Sequence, residues 1–189
     1  MHRSVLKAIL GVITVLSGDC GFLFGQNITQ TTAREVPEAT TQQAAACKDR
    51  PEFRQLDFWL GDWEVFNKDR KLSDTRVELV LRDCALAETW QPVEGGHGGR
   101  GVSTYDLLTQ KWEYFWVADN AYMSHWTGVL IGNEMRFAAE QTREGVTKLR
   151  HWSLIRMPDG SVRELSVGSS DGGKTWVTEY DFMWHRKGT

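Results

Sequence analysis

The sequence predicts an all-β fold, an antiparallel β-barrel of about ten strands preceded by one short helix. From residue 61 onward, apolar and polar side chains alternate with a period of two, which is the period of β-strands. Turn-forming groups separate the alternating segments, among them Gly132-Asn133, Pro158-Asp159-Gly160 and Asp171-Gly172-Gly173. A closed barrel is favoured over a sandwich because closure leaves no exposed strand edges.

Residues 1–26 predict a secretory signal peptide, so the mature protein is expected to be periplasmic or secreted. Arg3 and Lys7 form a short basic start, and an unbroken apolar run follows at Ala8–Leu16. A run of that length is too short to span a bilayer on its own. We therefore expect no membrane span after cleavage.

Two alternatives to a cleaved signal stay open. An uncleaved anchor over residues 5–25 would bury Asp19 in lipid, and a charge at that depth is costly. A lipid anchor on Cys20 would leave Asp19 where a small residue is expected.

Residues 27–46 are rich in Thr, Gln and Ala and carry almost no large apolar side chain, which predicts a disordered linker. The folded domain is expected over residues 47–189. The whole chain has a net charge of −3, and removing residues 1–26 takes away two basic residues and one acidic residue, which leaves −4. That mild acidic balance, without a run of basic residues, argues against a nucleic-acid partner.

The domain is expected to begin with one short helix. Phe53, Leu56 and Leu60 recur at helical spacing, Pro51 suits the first turn, and Gly61 suits the stop. Strands are then predicted at Trp63–Phe66, Thr75–Leu81, Leu86–Gln91, Gly99–Tyr105, Lys111–Val117, Tyr122–Leu130, Glu134–Glu140, Lys148–Arg156, Ser161–Val167 and Trp176–His185. In the last strand, alternate residues are expected to share one face: Trp176, Thr178, Tyr180, Phe182 and Trp184.

Cleavage would leave two cysteines, Cys47 and Cys84, in the mature chain. An even pair in an exported protein predicts one disulfide, and two free buried thiols are the alternative. No metal site is predicted, because the histidines form neither H-x-H nor H-E-x-x-H and two cysteines alone make a poor zinc site.

Four short motifs are interpreted as turns rather than as catalytic elements. Residues 168–172 match G-x-S-x-G, but a nucleophile elbow needs a helix after it and here a strand follows. Residues 96–101 match G-x-G-x-x-G without opening a helix, so the geometry that cradles phosphate is missing. The Asp-box pattern at 169–176 and the kelch-type pattern at 105–112 occur once each, whereas propellers repeat them. We name no catalytic residue, and whether the chain is an enzyme stays open, with the balance against it.

The opening of the domain, F-W-L-G-D-W-E-V at residues 58–65, resembles a family of exported bacterial domains. That family also carries an E-x-W strand, a Y-D-x-x-T-x-x-W turn and a D-G-G-x-T-W hairpin. The matching segments here are Glu88-Thr89-Trp90, residues 105–112 and residues 171–176. The resemblance covers residues 47–186 and implies one exported domain, without implying a reaction.

The same opening is similar, more distantly, to lipocalins. In those barrels a short helix leads into a G-x-W on the first strand, and an arginine from the last strand covers the tryptophan. Gly61, Trp63 and Arg186 stand at the matching positions. The resemblance implies a lipocalin-like barrel, although the strand count is nearer ten than eight. Ten-stranded relatives include haem-binding barrels similar to nitrobindin.

Glu88 is a carboxylate that the alternation of side chains places on an apolar face of its predicted strand. Leu86, Glu88 and Trp90 share one face of their predicted strand, and large apolar side chains choose the inside. Glu88 is therefore expected to point into the barrel. An ionised carboxylate there needs a charged or multiply hydrogen-bonded partner, and the candidates are Arg150 and an inward His125 or His151.

We expect the barrel to bind a small, partly apolar molecule within walls formed by its many aromatic residues. The candidate ligand-binding residues are Glu88, Trp90, Trp116, His125, His151 and Tyr180. No cofactor is expected, and a haem held by an inward histidine is the alternative. An enzyme acting in the barrel mouth and a structural or interaction domain without a ligand are further alternatives.

Overall fold

The computed structural model describes residues 47–188, which form ten β-strands. They are β1 (Gly61–Asn67), β2 (Arg70–Val80), β3 (Ala85–Pro92), β4 (Gly99–Asp106), β5 (Lys111–Ala118), β6 (Met123–Ile131), β7 (Glu134–Arg143), β8 (Val146–Arg156), β9 (Val162–Ser169) and β10 (Val177–Arg186). Each strand pairs antiparallel with its neighbours in sequence, and β1 pairs with β10 to close the barrel. The predicted all-β, lipocalin-like barrel of about ten strands is confirmed.

The predicted signal peptide (1–26) and linker (27–46) lie outside the described residues. Among residues 47–188, none of the helices is long and apolar enough to cross a membrane.

Two short 3₁₀ helices, Pro51–Arg54 and Asp57–Trp59, replace the single helix that the sequence predicts. Backbone hydrogen bonds reach back three residues, as in Phe53 N to Arg50 O at 3.1 Å. The buried side chains also recur every three residues, because Phe53, Leu56 and Trp59 all face the barrel. Three residues per turn is the period of a 3₁₀ helix, so the burial pattern explains the tighter winding.

The 3₁₀ segment closes one end of the barrel by placing Trp59 inside it. The Trp59 ring lies 5.5 Å from Trp184, 6.1 Å from Trp152 and 6.4 Å from Tyr114, measured between ring centroids. Apolar residues from most of the strands complete this half of the core: Trp63, Val65, Val77, Leu86, Trp112, Met135, Phe137, Leu154 and Val162. We call this end the plugged end, and the opposite end is the open end.

Arg186 lies over Trp63 at the plugged end, which is the arrangement that the lipocalin resemblance implies. The guanidinium carbon is 4.5 Å from the centroid of the Trp63 ring, and Nη1 donates to Leu60 O at 2.9 Å. Gly61 makes room for this contact, because a Cβ there would lie 2.6 Å from Arg186 Nη1. Its φ of +130° also belongs to a region that side chains rarely adopt, so the turn requires glycine.

The predicted disulfide between Cys47 and Cys84 is confirmed. It joins the segment before the first 3₁₀ helix to the turn between β2 and β3, with 5.1 Å between the two Cα atoms. Both cysteines therefore lie at the plugged end, and the bridge fastens the 3₁₀ segment to the barrel.

Strand β10 departs from the predicted alternation because it carries a β-bulge. The register shifts between Thr178 and Tyr180, which places Glu179 and Tyr180 opposite Ser166. A bulge inserts one extra residue and breaks the two-residue period. Tyr180, Phe182 and Trp184 consequently pack against the core, whereas Trp176 lies outside and stacks on His151.

Candidate ligand-binding cavity

A cavity of about 290 Å³ occupies the open half of the barrel. Trp90 and Trp116 lie near the last residues of β3 and β5, and Ser124 and Arg150 lie near the first residues of β6 and β8. Because consecutive strands run antiparallel, these strand ends meet at the open end of the barrel. The lining residues are Glu88, Trp90, His97, Tyr114, Trp116, Tyr122, Ser124, Trp126, Arg150, Trp152, Glu164, Tyr180 and Phe182.

Glu88 points into the barrel, as parity along β3 requires, and only 4% of its surface is exposed. The Tyr114 hydroxyl donates to Glu88 Oε2 at 2.7 Å. Within residues 47–188, Tyr114 is its one hydrogen-bond partner, so Oε1 is left to the cavity. Burial raises the pKa of Glu88 to about 8, and the nearby Glu164 adds to the shift while the Tyr114 hydrogen bond opposes it.

The expected partner of Glu88 is wrong, because Arg150 pairs with Glu179 instead. Arg150 Nε donates to Glu179 Oε2 at 2.6 Å, and Nη1 donates to Tyr122 Oη at 3.3 Å and to Gln141 Oε1 at 3.2 Å. The bulge in β10 explains the change, since it turns Glu179 toward the same side as Tyr180. Glu88 therefore has a neutral phenol as its partner rather than a cation.

Glu164 is a second buried carboxyl in the cavity, and it is not among the residues predicted from the sequence. Trp152 Nε1 donates to Glu164 Oε1 and Trp184 Nε1 donates to Oε2, both at 2.8 Å. Burial raises the pKa of Glu164 to about 7, and the two indole hydrogen bonds oppose the shift. Both oxygens of Glu164 are thus occupied by the protein. The signal that could have found it is the number of buried indoles, each of which needs an acceptor.

Aromatic rings form the walls, and the three aromatic residues among the predicted ligand-binding residues line the cavity: Trp90, Trp116 and Tyr180. Tyr180 and Phe182 stack on one side, with 4.7 Å between ring centroids. The Trp116 ring lies against Gly99, where a Cβ would be 2.3 Å from the indole. The cavity therefore offers large apolar faces around a few polar atoms, which is the usual composition of a small-molecule site.

The expected inward histidine is wrong for both His125 and His151. His125 lies on the outer face, stacks on Phe115 at 4.3 Å and contacts Glu113 Oε2 through Nε2 at 2.6 Å. His151 lies on the outer face of β8 and stacks on Trp176 at 4.3 Å. Each histidine immediately precedes a tryptophan that points inward. Because successive side chains of a strand point to opposite faces, the histidine points outward. Neither can hold a haem in this cavity.

His97 is the one histidine that lines the cavity among residues 47–188. It sits at the rim with 61% of its side chain exposed, and its Nδ1 lies 2.9 Å from Asp119 Oδ1. The described residues contain no group of three His, Cys, Asp or Glu side chains that could hold a metal ion. The cavity thus combines two buried carboxyl groups, Glu88 and Glu164, with aromatic side chains.

Compared with known proteins, the sequence matches no protein-family model, and no curated protein is significantly similar to it.

Proposed function

We propose that this protein is an exported barrel that binds a small, partly apolar molecule in its open half. The observation that carries the proposal is the Glu88 carboxyl, which is buried, faces an aromatic-walled cavity and has one oxygen without a protein partner. Removing a carboxyl from water costs free energy unless its atoms are hydrogen-bonded. A bound molecule would supply the partner that Oε1 lacks.

The contrast with Glu164 supports a binding role for Glu88. Both carboxyls are buried in the same cavity, yet Glu164 is held by an indole at each oxygen while Glu88 has a single phenol. A buried carboxyl that only stabilises the fold is expected to accept protein hydrogen bonds at both oxygens, as Glu164 does. Both oxygens of Glu164 accept hydrogen bonds, so Glu88 is the one carboxyl of this cavity that has an oxygen without a protein partner among the described residues. A single such carboxyl favours ligand binding over acid–base catalysis, which needs a pair.

The size of the cavity supports a small ligand. A volume of about 290 Å³ stands at the lower end of the range for small-molecule pockets, roughly 300–1,000 Å³. The rings at the walls suit a ligand with a flat or apolar body. Polar side chains also line the cavity, among them Tyr122, His97 and Arg150, and His97 is exposed at the rim.

Export to the periplasm or beyond the cell is part of the same proposal. The Cys47–Cys84 disulfide supports it, because structural disulfides persist in oxidising compartments. The basic start and apolar run of residues 1–26 support it as well. We also propose that the chain belongs to the exported family with the F-W-L-G-x-W opening, because residues 58–65 carry that motif.

Fluorescence of N-phenyl-1-naphthylamine, a neutral probe that brightens in apolar sites, tests the proposal. One probe molecule is expected to bind per chain, and Trp116→Ala is expected to weaken binding about tenfold because it removes a wall. Trp176→Ala is the matched control, since Trp176 lies outside the barrel. No binding to the native protein, or equal losses in both variants, would contradict a ligand site in the cavity.

A further inference from the structure

We infer that the molecule bound in this cavity is a small organic cation, with an ammonium group beside Glu88 Oε1 and an apolar body against the aromatic walls. The inference rests on the proposed function and adds the chemical class of the ligand. Three observations carry it: the charges that line the cavity, the hydrogen-bonding capacity left inside it, and the faces of its rings.

Two carboxyl groups are buried in the cavity, and the guanidinium that also lines it is paired with a third carboxylate. Its titratable lining residues are Glu88, His97, Tyr114, Tyr122, Arg150, Glu164 and Tyr180. Glu88 and Glu164 are the buried ones that can carry charge, at 4% and 7% exposure. The single guanidinium is committed to Glu179, which it meets at 2.6 Å, and Lys148 contacts the same carboxylate at 2.5 Å. A cation in the cavity would therefore supply the counter-charge that Glu88 lacks.

The hydrogen-bonding capacity points the same way. The donors near the two carboxyls are already used, because Tyr114 donates to Glu88 while Trp152 and Trp184 donate to Glu164. Beside the carboxyls, the atom without a partner among the described residues is Glu88 Oε1, which is an acceptor once the carboxyl is ionised. An ammonium group offers only donors and no acceptor, so it matches this remaining atom. An anionic group would bring further acceptors against two carboxyls.

The aromatic rings favour positive charge through their electron-rich faces. Arg150 already lies over Trp126 in this cavity, with its guanidinium carbon 5.0 Å from the ring centroid. Trp90 and Trp116 are further indoles on the lining, and indole is the strongest partner for a cation. An ammonium group that leaves water for this site thus gains ring faces as well as a carboxylate.

Binding of a cation is expected to displace a proton from Glu88. Without a counter-charge, burial favours the protonated carboxyl, and burial is what raises its pKa to about 8. When the ammonium arrives, the carboxyl gives its proton to solvent and becomes the carboxylate that pairs with it. Calorimetry at pH 7 in two buffers of different ionisation enthalpy counts the released protons.

Three probes of one shape and different charge test the inference: 2-phenylethylamine, 2-phenylethanol and 3-phenylpropionate. At pH 8 the amine is expected to bind the native protein at least about tenfold more tightly than the alcohol, with the propionate weakest. In the calorimetry at pH 7, where Glu88 is largely protonated before binding, close to one proton should be released with the amine and none with the alcohol. Glu88→Gln should abolish the preference for the amine. Glu78→Gln on the exposed face of β2 should keep it.

The outcomes separate this inference from the proposed function. Equal affinities for the three probes, or tightest binding of the propionate, would overturn the cation and leave a binding cavity in place. Amine binding without proton release would overturn the pairing with Glu88. If none of the three probes bound and N-phenyl-1-naphthylamine also failed to bind, both the inference and the proposed function would be wrong.

Discussion

The Tyr114 hydroxyl donates a hydrogen bond to Glu88 Oε2 at 2.7 Å, in the interior of a closed ten-stranded barrel. Tyr114 is buried and Glu88 is buried, so neither group has bulk water as an alternative partner. The pair links the wall of the cavity on β5 to its polar group on β3. The behaviour of the candidate site depends on this contact, and the first prediction concerns it.

Tyr114→Phe removes the hydroxyl and leaves the Glu88 carboxyl without a protein hydrogen bond among the described residues. The free energy of unfolding is expected to fall by about 1–3 kcal/mol, because a buried polar group is left unsatisfied. Urea unfolding at pH 6 measures it. Tyr105→Phe is the control, because the Tyr105 hydroxyl makes no hydrogen bond within residues 47–188, and its effect should stay below about 0.5 kcal/mol. Equal effects would show that the hydroxyl contributes nothing.

The stability of the barrel is expected to fall as the pH rises from about 5 to 8. The folded-state pKa values of Glu88 and Glu164, about 8 and about 7, lie above the ordinary value of 4.5. In this range the folded chain therefore binds more protons than the unfolded chain. Stability then decreases with pH, by up to about 1.4 kcal/mol per pH unit for each carboxyl.

Glu88→Gln isolates the contribution of one carboxyl to that slope. Glutamine has the same shape and does not ionise, so the variant should lose less stability between pH 5 and 8 than the native protein does. The difference between the two proteins removes the opposite contribution of His151, whose pKa is lowered by burial. Urea midpoints at four pH values measure it, and parallel pH profiles for the two proteins would contradict a raised pKa at Glu88.

Arg186→Lys is expected to destabilise the plugged end by about 1–2 kcal/mol. Lysine keeps the charge but cannot stack a planar group on Trp63 or repeat the guanidinium hydrogen bond to Leu60 O. Thermal and urea unfolding measure the loss. Arg76→Lys is the control, since 60% of the Arg76 side chain is exposed. A loss at position 186 no larger than at position 76 would mean that the contact adds no stability.

Removal of the disulfide is expected to cost up to about 4 kcal/mol of stability, from the entropy of closing a loop that separates the cysteines by 37 residues. The double variant Cys47→Ser/Cys84→Ser, compared with the oxidised protein in urea, measures the loss. A thiol titration of the unfolded, unreduced mature protein, from which residues 1–26 have been removed, provides the simpler check. It should find no free thiol, and two titrating thiols would contradict the bridge.

The strands were predictable because a barrel wall imposes a two-residue period outside its bulges, and each of the ten strands overlaps its predicted segment. Glu88 was predictable for the same reason, since it lies between Leu86 and Trp90 on one face of β3. The same alternation places His125 and His151 outward once the residue after each histidine is considered. Trp126 and Trp152 occupy the inward positions and leave none for His125 and His151.

The second carboxyl could not be found from alternation. Along β9, Leu165 and Val167 form the more apolar face, yet Glu164 and Ser166 are the residues that point inward and are buried. The indoles of Trp152 and Trp184 need acceptors, and that requirement outweighs the apolar pattern of one strand. This pairing joins side chains of three strands, so the sequence pattern of a single strand does not predict it.

Arg150 pairs with Glu179 rather than with Glu88, and this choice is hidden from the alternation for a related reason. The bulge in β10 turns Glu179 toward the cavity side, and a bulge has no signature in the alternation of a strand that is otherwise regular. With Glu179 in place, Arg150 is neutralised at the rim and Glu88 stays without a cation. The position of a single extra residue thus decides which carboxyl is free for a ligand.

Native mass spectrometry of the mature protein, purified from its own host without denaturation, tests the central claim most directly. The account predicts a population with one small molecule bound per chain, which is lost on collisional activation and is reduced by Trp116→Ala but not by Trp176→Ala. Observation of only the bare polypeptide mass in gently purified native protein would contradict the claim that the open half of the barrel holds a ligand.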